Sequence, residues 1–184
     1  MKKLILFSLH ALLLSAFFSC ASSPKKENPS QASMQQMSPE KLQELNKLAI
    51  DRVSKRLGEL TASAKKSGPE KVRFLASDMY LKASAALMEG DYQTANVIFK
   101  HLIELAPEDN FVKQKYAISL IRTGEIEESK VILEEIFSSS KEKDEKVGLV
   151  LAGVYSSLGK VEESRRIYNK ILKHHRKSEE ACIF

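Results

Sequence analysis

Ala83–Phe99 reads ASAALMEGDYQTANVIF, Ala117–Leu133 reads AISLIRTGEIEESKVIL, and Ala152–Tyr168 reads AGVYSSLGKVEESRRIY. The three stretches align on Gly90, Gly124 and Gly159, which stand 34 and 35 residues apart. Seven positions before each glycine is an alanine: Ala83, Ala117 and Ala152. Two after it come Tyr92, Ile126 and Val161; five after it, the small residues Ala95, Ser129 and Ser164. Nine after it come Phe99, Leu133 and Tyr168, and twelve after it Leu102, Ile136 and Ile171. Six columns agree in size and polarity across three copies, and self-similarity at such a period marks a repeat architecture.

Each column has a physical reason. Before the first glycine, Met79, Ala83, Ala86 and Leu87 form a helical stripe; after it, Ala95, Ile98, Phe99 and Leu102 form another. The glycine admits the left-handed backbone needed where the first helix stops and reverses. The small residues on either side of it let the two helices approach closely, and the large ones fill the space to the next pair. The reading is an all-α chain of helix–turn–helix units over residues 69–178, with copies at 76–109, 110–144 and 145–178. A one-residue insertion falls in Ser138 to Asp144. Glu179 to Phe184 reads as the start of an incomplete fourth copy, so the chain is expected to be a shortened member of a longer repeat protein or to cap itself with Ile183 and Phe184.

Length, column spacing and the ending Leu105-Ala106-Pro107-Glu108-Asp109 make the chain resemble the tetratricopeptide repeat (TPR) family. It departs from the family in having no Trp, in Lys82 where the other copies have Tyr116 and Leu151, and in Lys141 and Arg176 where the first has Pro107. The resemblance implies a right-handed solenoid whose first helices line a concave groove for an extended peptide or a partner helix. Carried onto this chain, the groove comprises Ser77, Tyr80, Ser84, Leu87 and Met88, then Phe111, Gln114, Ile118, Ile121 and Arg122, then Lys146, Leu149, Gly153, Ser156 and Ser157. The Lys-and-Asn clamp with which chaperone-binding members grip a terminal carboxylate is missing. Tyr80, Leu87, Met88, Phe111 and Ile118 suit an apolar segment or helix instead. Alternatively, several of these residues pack against the helix that leads into the repeats.

That leading helix is expected over 39–67. Ser38 supplies a capping hydroxyl, Pro39 the first helical position and Glu40 an acid for the dipole. Leu42, Leu45, Leu48, Ala49, Val53, Leu57, Leu60 and Ala64 make one apolar stripe, and Ser67-Gly68-Pro69 ends it. The stripe is expected either to pack against the repeats or to serve as a self-association seam through 39–66. Residues 20–38 hold two prolines and no apolar periodicity, which reads as a flexible leash with a reach of about 20–25 Å.

At the start, Lys2 and Lys3 precede an apolar run from Leu4 to Phe18. As a helix that run spans ~22 Å, short of the ~30 Å hydrocarbon core, which suits a secretory signal (1–19) rather than a membrane span. Ser19-Cys20 closes the run and resembles a bacterial lipoprotein signal, which implies acylation of Cys20. Multiple acyl chains, at ~0.8 kcal/mol per buried CH₂, anchor a protein firmly. Ala21 in place of Asp implies the outer membrane, facing the periplasm. Cleavage after Ala21 would instead release a soluble periplasmic protein.

Lys and Arg number 29 against 24 Asp and Glu; without Lys2 and Lys3 the figures are 27 and 24. So small a surplus, spread out, excludes a nucleic-acid footprint. A hydrophobic content of 43% excludes general disorder, and 29% charge excludes a polytopic membrane protein. Two cysteines cannot build a disulfide scaffold. No glycine-rich phosphate loop, nucleophile elbow or zinc-binding HExxH is present, so neither catalysis nor a cofactor is expected. His101 with Glu104 is half a metal site at most and reads as a solvated helix face. His174 and His175 suit a helix C-terminus, and the alternating charges of Lys141 to Lys146 read as a solvated loop. The expected function is a membrane-anchored scaffold that recruits a protein partner in envelope assembly, pilus or motility systems, or secretion. The alternatives are a non-catalytic regulatory subunit of a cell-wall enzyme and a remnant of a longer repeat protein.

Overall fold

The computed structural model describes residues 38–175, and every regular element among them is an α-helix. The signal, Cys20, the leash as far as Met37 and the start of a fourth copy lie outside the described residues. The helices are α1 (Pro39–Ser67), α2 (Pro69–Glu89), α3 (Tyr92–Leu105), α4 (Asn110–Thr123), α5 (Ile126–Ser139), α6 (Glu145–Ser157) and α7 (Val161–His174). The chain divides into two units after Leu42. Of the first unit, Ser38 to Leu42 are described, and the Ser38 hydroxyl accepts from the Lys41 amide at 3.4 Å. The second unit carries α2/α3, α4/α5 and α6/α7 as the three helix pairs that the periodicity implies.

Each pair turns at its glycine. Gly90 has φ 78° and Gly124 φ 87°, values at which a Cβ is strained. The residue after each donates back to the helix, Asp91 to Ala86 and Glu125 to Leu120, both at 2.9 Å. These bonds satisfy carbonyls that the helix end would leave open. Past the turn, the small columns face one another. Ala83 and Ala95 are both fully buried, as are Ala117 and Ser129. The Ser129 hydroxyl donates to the Ala117 carbonyl and the Ser164 hydroxyl to the Ala152 carbonyl, each at 2.9 Å. Repeating the same small pair twelve residues apart therefore fixes the same close crossing three times. Asp91, Asp109 and Asp144 cap α3, α4 and α6 through backbone amides at 3.0–3.1 Å.

The core is continuous but built in two blocks. Met79, Phe99, Leu102, Tyr116 and Leu120 fill the space among α2, α3 and α4. Leu133, Phe137, Leu151 and Ile171 fill that among α5, α6 and α7, and Ile132 packs against both blocks. Each pair thus shelters its neighbours, as stacked repeats do.

One expectation is qualified and one corrected. The solvated run Lys141 to Lys146 holds no buried residue, but it is tied down. Lys141 and Glu142 take left-handed backbone (φ 56° and 62°), which absorbs the inserted residue. Glu142 is held by its amide on the Phe137 carbonyl and by Lys170 Nζ at 2.5 Å on its carboxylate. The His175 ring contacts the Lys143 carbonyl at 2.7 Å, so this histidine closes the loop rather than serving only the helix terminus. Asp144 caps α6, and Glu145 and Lys146 already belong to that helix.

His101 is the correction. Its side chain is only 13% exposed, and its Nε2 lies 3.1 Å from the Ser54 hydroxyl of α1. The cause is the position of α1. Ile50 and Val53 lie with Thr94 and Val97 around a shallow depression, Gly58 stands against the His101 ring, and Lys65 reaches Glu104 at 3.5 Å. Contacts advance along both helices together, so α1 runs parallel to α3, as the second helix of a preceding pair would. Thr61 and Ala64 are buried by this packing, while Leu45, Leu48, Val53 and Leu60 remain partly exposed.

Candidate partner-binding face

The first helices of the pairs present one face to the core and the opposite face outward. On α4, Val112, Tyr116, Ser119 and Leu120 point inward and are buried. Phe111, Gln114, Ile118 and Arg122 recur at helical spacing on the other side, where Phe111 and Arg122 are exposed and Gln114 and Ile118 half-buried. On α2, Tyr80 and Leu87 are half-buried and packed against the first core block, Ser84 is half-buried, and Met88 is 89% exposed. Ile121 and Leu149 are half-buried against the second block, so they back the face more than they form it. Ser77, Lys146, Gly153, Ser156 and Ser157 are exposed.

At the centre, Tyr80 of α2 meets Phe111 of α4, with ring centroids 6.1 Å apart and planes tilted by 43°. Phe111 is nevertheless 54% exposed, because among the described residues nothing covers its outer side. Lys115 Nζ lies 5.3 Å from the Phe111 centroid, which adds a cation over the ring. Lys115 was not among the expected groove residues. Its signal was in the sequence all the same, since it lies four residues after Phe111 and so on the same face. Among the described residues no carboxylate forms a salt bridge with Lys115, Arg122 or Lys146, and Lys115 stands beside the apolar centre.

The packing of α1 bears on whether this face is covered. Its polar contacts and its close approaches fall on α3, at Thr94, Val97, His101 and Glu104. That is the second-helix side of the pair, away from the Tyr80–Phe111 contact. The expectation that α1 shields the groove residues is therefore not met at the exposed pair of Met88 and Phe111.

Two tyrosines of the repeats are held by carboxylates. Tyr116 donates to Glu128 at 2.9 Å and Tyr155 donates to Glu134. Burial first, and then the neighbouring carboxylates, push both phenols up, Tyr155 to about 12, so each remains a neutral donor at physiological pH. Among the described residues no cluster of three or more His, Cys, Asp or Glu is placed to hold a metal ion. No described helix is long and apolar enough to cross a membrane.

No family model and no curated protein sequence matches the chain. Solved structures do. A tetratricopeptide repeat protein from Parabacteroides merdae superposes with a TM-score of 0.55 at 19% identity, over 58% of this chain and 43% of that one. This chain thus spans less than half the length of that protein. The TPR domain of Arabidopsis OM64 matches with a TM-score of 0.54 at 15% identity, over 61% of this chain and 92% of that domain. MamA from Desulfovibrio magneticus RS-1 matches with 0.53 at 16%, over 70% of this chain and 78% of that one.

The fold is that of a TPR solenoid. The glycine and small-residue columns are thus the turn and the crossing of a TPR pair, and α1 occupies the place of a second helix ahead of the first TPR. At this level of identity the likeness carries the fold and no more.

Proposed function

We propose that the chain is an envelope scaffold, held on a membrane by lipid at Cys20, whose TPR face binds an apolar segment of a partner protein. The observation that carries the binding reading is the exposed Tyr80–Phe111 pair with Lys115 over its ring. An aromatic anchor with an exposed outer side is the kind of group on which interface energy concentrates. The unpaired cations at Lys115 and Arg122 favour a ligand with carboxylates flanking its apolar residues. Support for the anchor comes from the sequence: a short apolar leader closes on Ser19-Cys20, and a polar leash follows. The Ala at position 21 favours the outer membrane, facing the periplasm.

Two measurements test the two halves separately. Phe111→Glu puts a carboxylate in the apolar centre without touching the core. Its effect on partner capture from solubilised envelopes is expected to be about 30-fold, the loss of one hot spot of ~2 kcal/mol, with the melting temperature unchanged. Undiminished capture would remove the groove. Cys20→Ala should move the protein from the membrane pellet to the soluble fraction; a variant that still pellets would remove the lipid anchor.

A further inference from the structure

The side of α2 opposite its buried residues is apolar and, among the described residues, bare. Phe74 is 76% exposed, Leu81 69% and Met88 89%, although the opposite side of the same helix buries Met79, Ala83 and Ala86. Their spacing is seven residues, so the three stand in one row, the seam spacing of paired helices. The row is symmetric: Phe74 and Met88 are each seven residues from Leu81.

The charges along one flank of this row are symmetric as well, about position 80, one residue before Leu81. Lys71, Asp78, Lys82 and Glu89 follow one another at helical spacing on a single flank. Lys71 and Glu89 lie nine residues either side of position 80, and Asp78 and Lys82 lie two either side of it. In each pair one member is positive and the other negative. Within one chain, Asp78 and Lys82 form an exposed ion pair at 2.7 Å. Ser77 and Ser84 lie on the other flank and leave room for a close approach.

The geometry points to a second copy of this chain as the occupant. Two α2 helices packed antiparallel about a two-fold axis place Leu81 on Leu81 of the other copy and Phe74 on its Met88. Residues on the same flank then face each other, so Lys71 meets the other copy's Glu89 and Asp78 meets its Lys82. A two-fold contact uses one patch twice and must be complementary to itself. The row meets that condition about position 81 and the charges about position 80, an axial offset of ~3 Å that Lys and Glu side chains span. The contact differs from the seam expected along 39–66; it takes Met88 from the candidate partner-binding face and leaves the Tyr80–Phe111 pair open.

Cysteine cross-linking of the full-length chain, with Cys20 and Cys182 replaced by Ser, reads both contact and register. Mild oxidation should give a disulfide dimer from Leu81→Cys, because that position meets itself within the Cα range a disulfide needs. Phe74→Cys alone should give none above background, whereas Phe74→Cys with Met88→Cys in one chain should. Sedimentation across a concentration series should show a dimer for the same chain without an added cysteine. Lys71→Glu should weaken that dimer by about tenfold, and adding Glu89→Lys should restore it by exchanging the charges. Because all these positions are exposed, folding should be untouched. The proposal is overturned if the chain sediments as a monomer throughout, if the Leu81→Cys variant stays uncrosslinked, or if Val131→Cys on exposed α5 crosslinks as well as Leu81→Cys does. A monomer in which the thiol introduced by Leu81→Cys is protected from a maleimide would mean that another segment covers the row, and would overturn it too.

Discussion

Phe99→Ala is expected to remove about 3–5 kcal/mol from the folding free energy. The Phe99 side chain is fully buried on α3, and its ring lies 6.5 Å from that of Tyr116 on α4. Its neighbours Met79, Leu102 and Leu120 come from three different helices, so they cannot collapse together into the vacated space without moving backbone. A domain of this size has a total stability of about 5–15 kcal/mol, so the loss is a large fraction of it. Because stacked repeats are coupled chiefly to their neighbours, the damage should also be local. Urea unfolding should show the loss, and amide exchange should show α2 to α4 losing protection before α6 and α7. Val131→Ala, on the exposed side of α5, should change stability by less than about 0.5 kcal/mol. A Phe99→Ala variant within about 1 kcal/mol of the native chain would mean that the first core block is not packed as described.

Ala117→Leu tests the crossing rather than the filling. Ala117 is fully buried where α4 meets α5, opposite Ser129, whose hydroxyl donates to the Ala117 carbonyl. A leucine there forces the helices apart at about 1–3 kcal/mol for the overpacking. Separating them also strips the buried Ser129 hydroxyl of its acceptor, which costs a further ~1–3 kcal/mol. The expected loss is therefore about 3 kcal/mol, read from the urea midpoint. The cost should fall when Ser129→Gly is added, because that makes space and removes the stranded hydroxyl. A leucine tolerated at position 117 without cost would show that the small column is not a contact between helices.

Much of the fold could be read from residue spacing because a repeat states its own geometry several times. Gly90, Gly124 and Gly159 recur because each pair needs one left-handed residue. Ala95, Ser129 and Ser164 recur because each crossing admits only a small side chain. Such constraints are local, set by residues near in sequence, and so they leave a periodic trace. The candidate face was partly legible for the same reason. Helical spacing from Phe111 put Gln114, Ile118 and Arg122 on the same side and could have added Lys115. What spacing could not tell was which apolar residues would be left bare. Ile121 and Leu149 resemble Phe111 in the sequence, yet they lean on the core.

The sequence by itself determined that α1 has an apolar stripe; tertiary structure decided that α1 lies along α3, parallel to it, with Thr61 and Ala64 buried and Leu45, Leu48, Val53 and Leu60 left exposed. An amphipathic pattern records that a face is to be buried, not against what, because the partner's residues are distant in the chain. The same holds for His101, whose neighbour Ser54 is 47 residues away. It holds for the charged run from Lys141, which is held down by Lys170 and His175 of the following helix pair. Local chemistry fixed where this chain coils and turns. Which of its surfaces meet, and which remain open to a partner, depended on distances that only the folded chain defines.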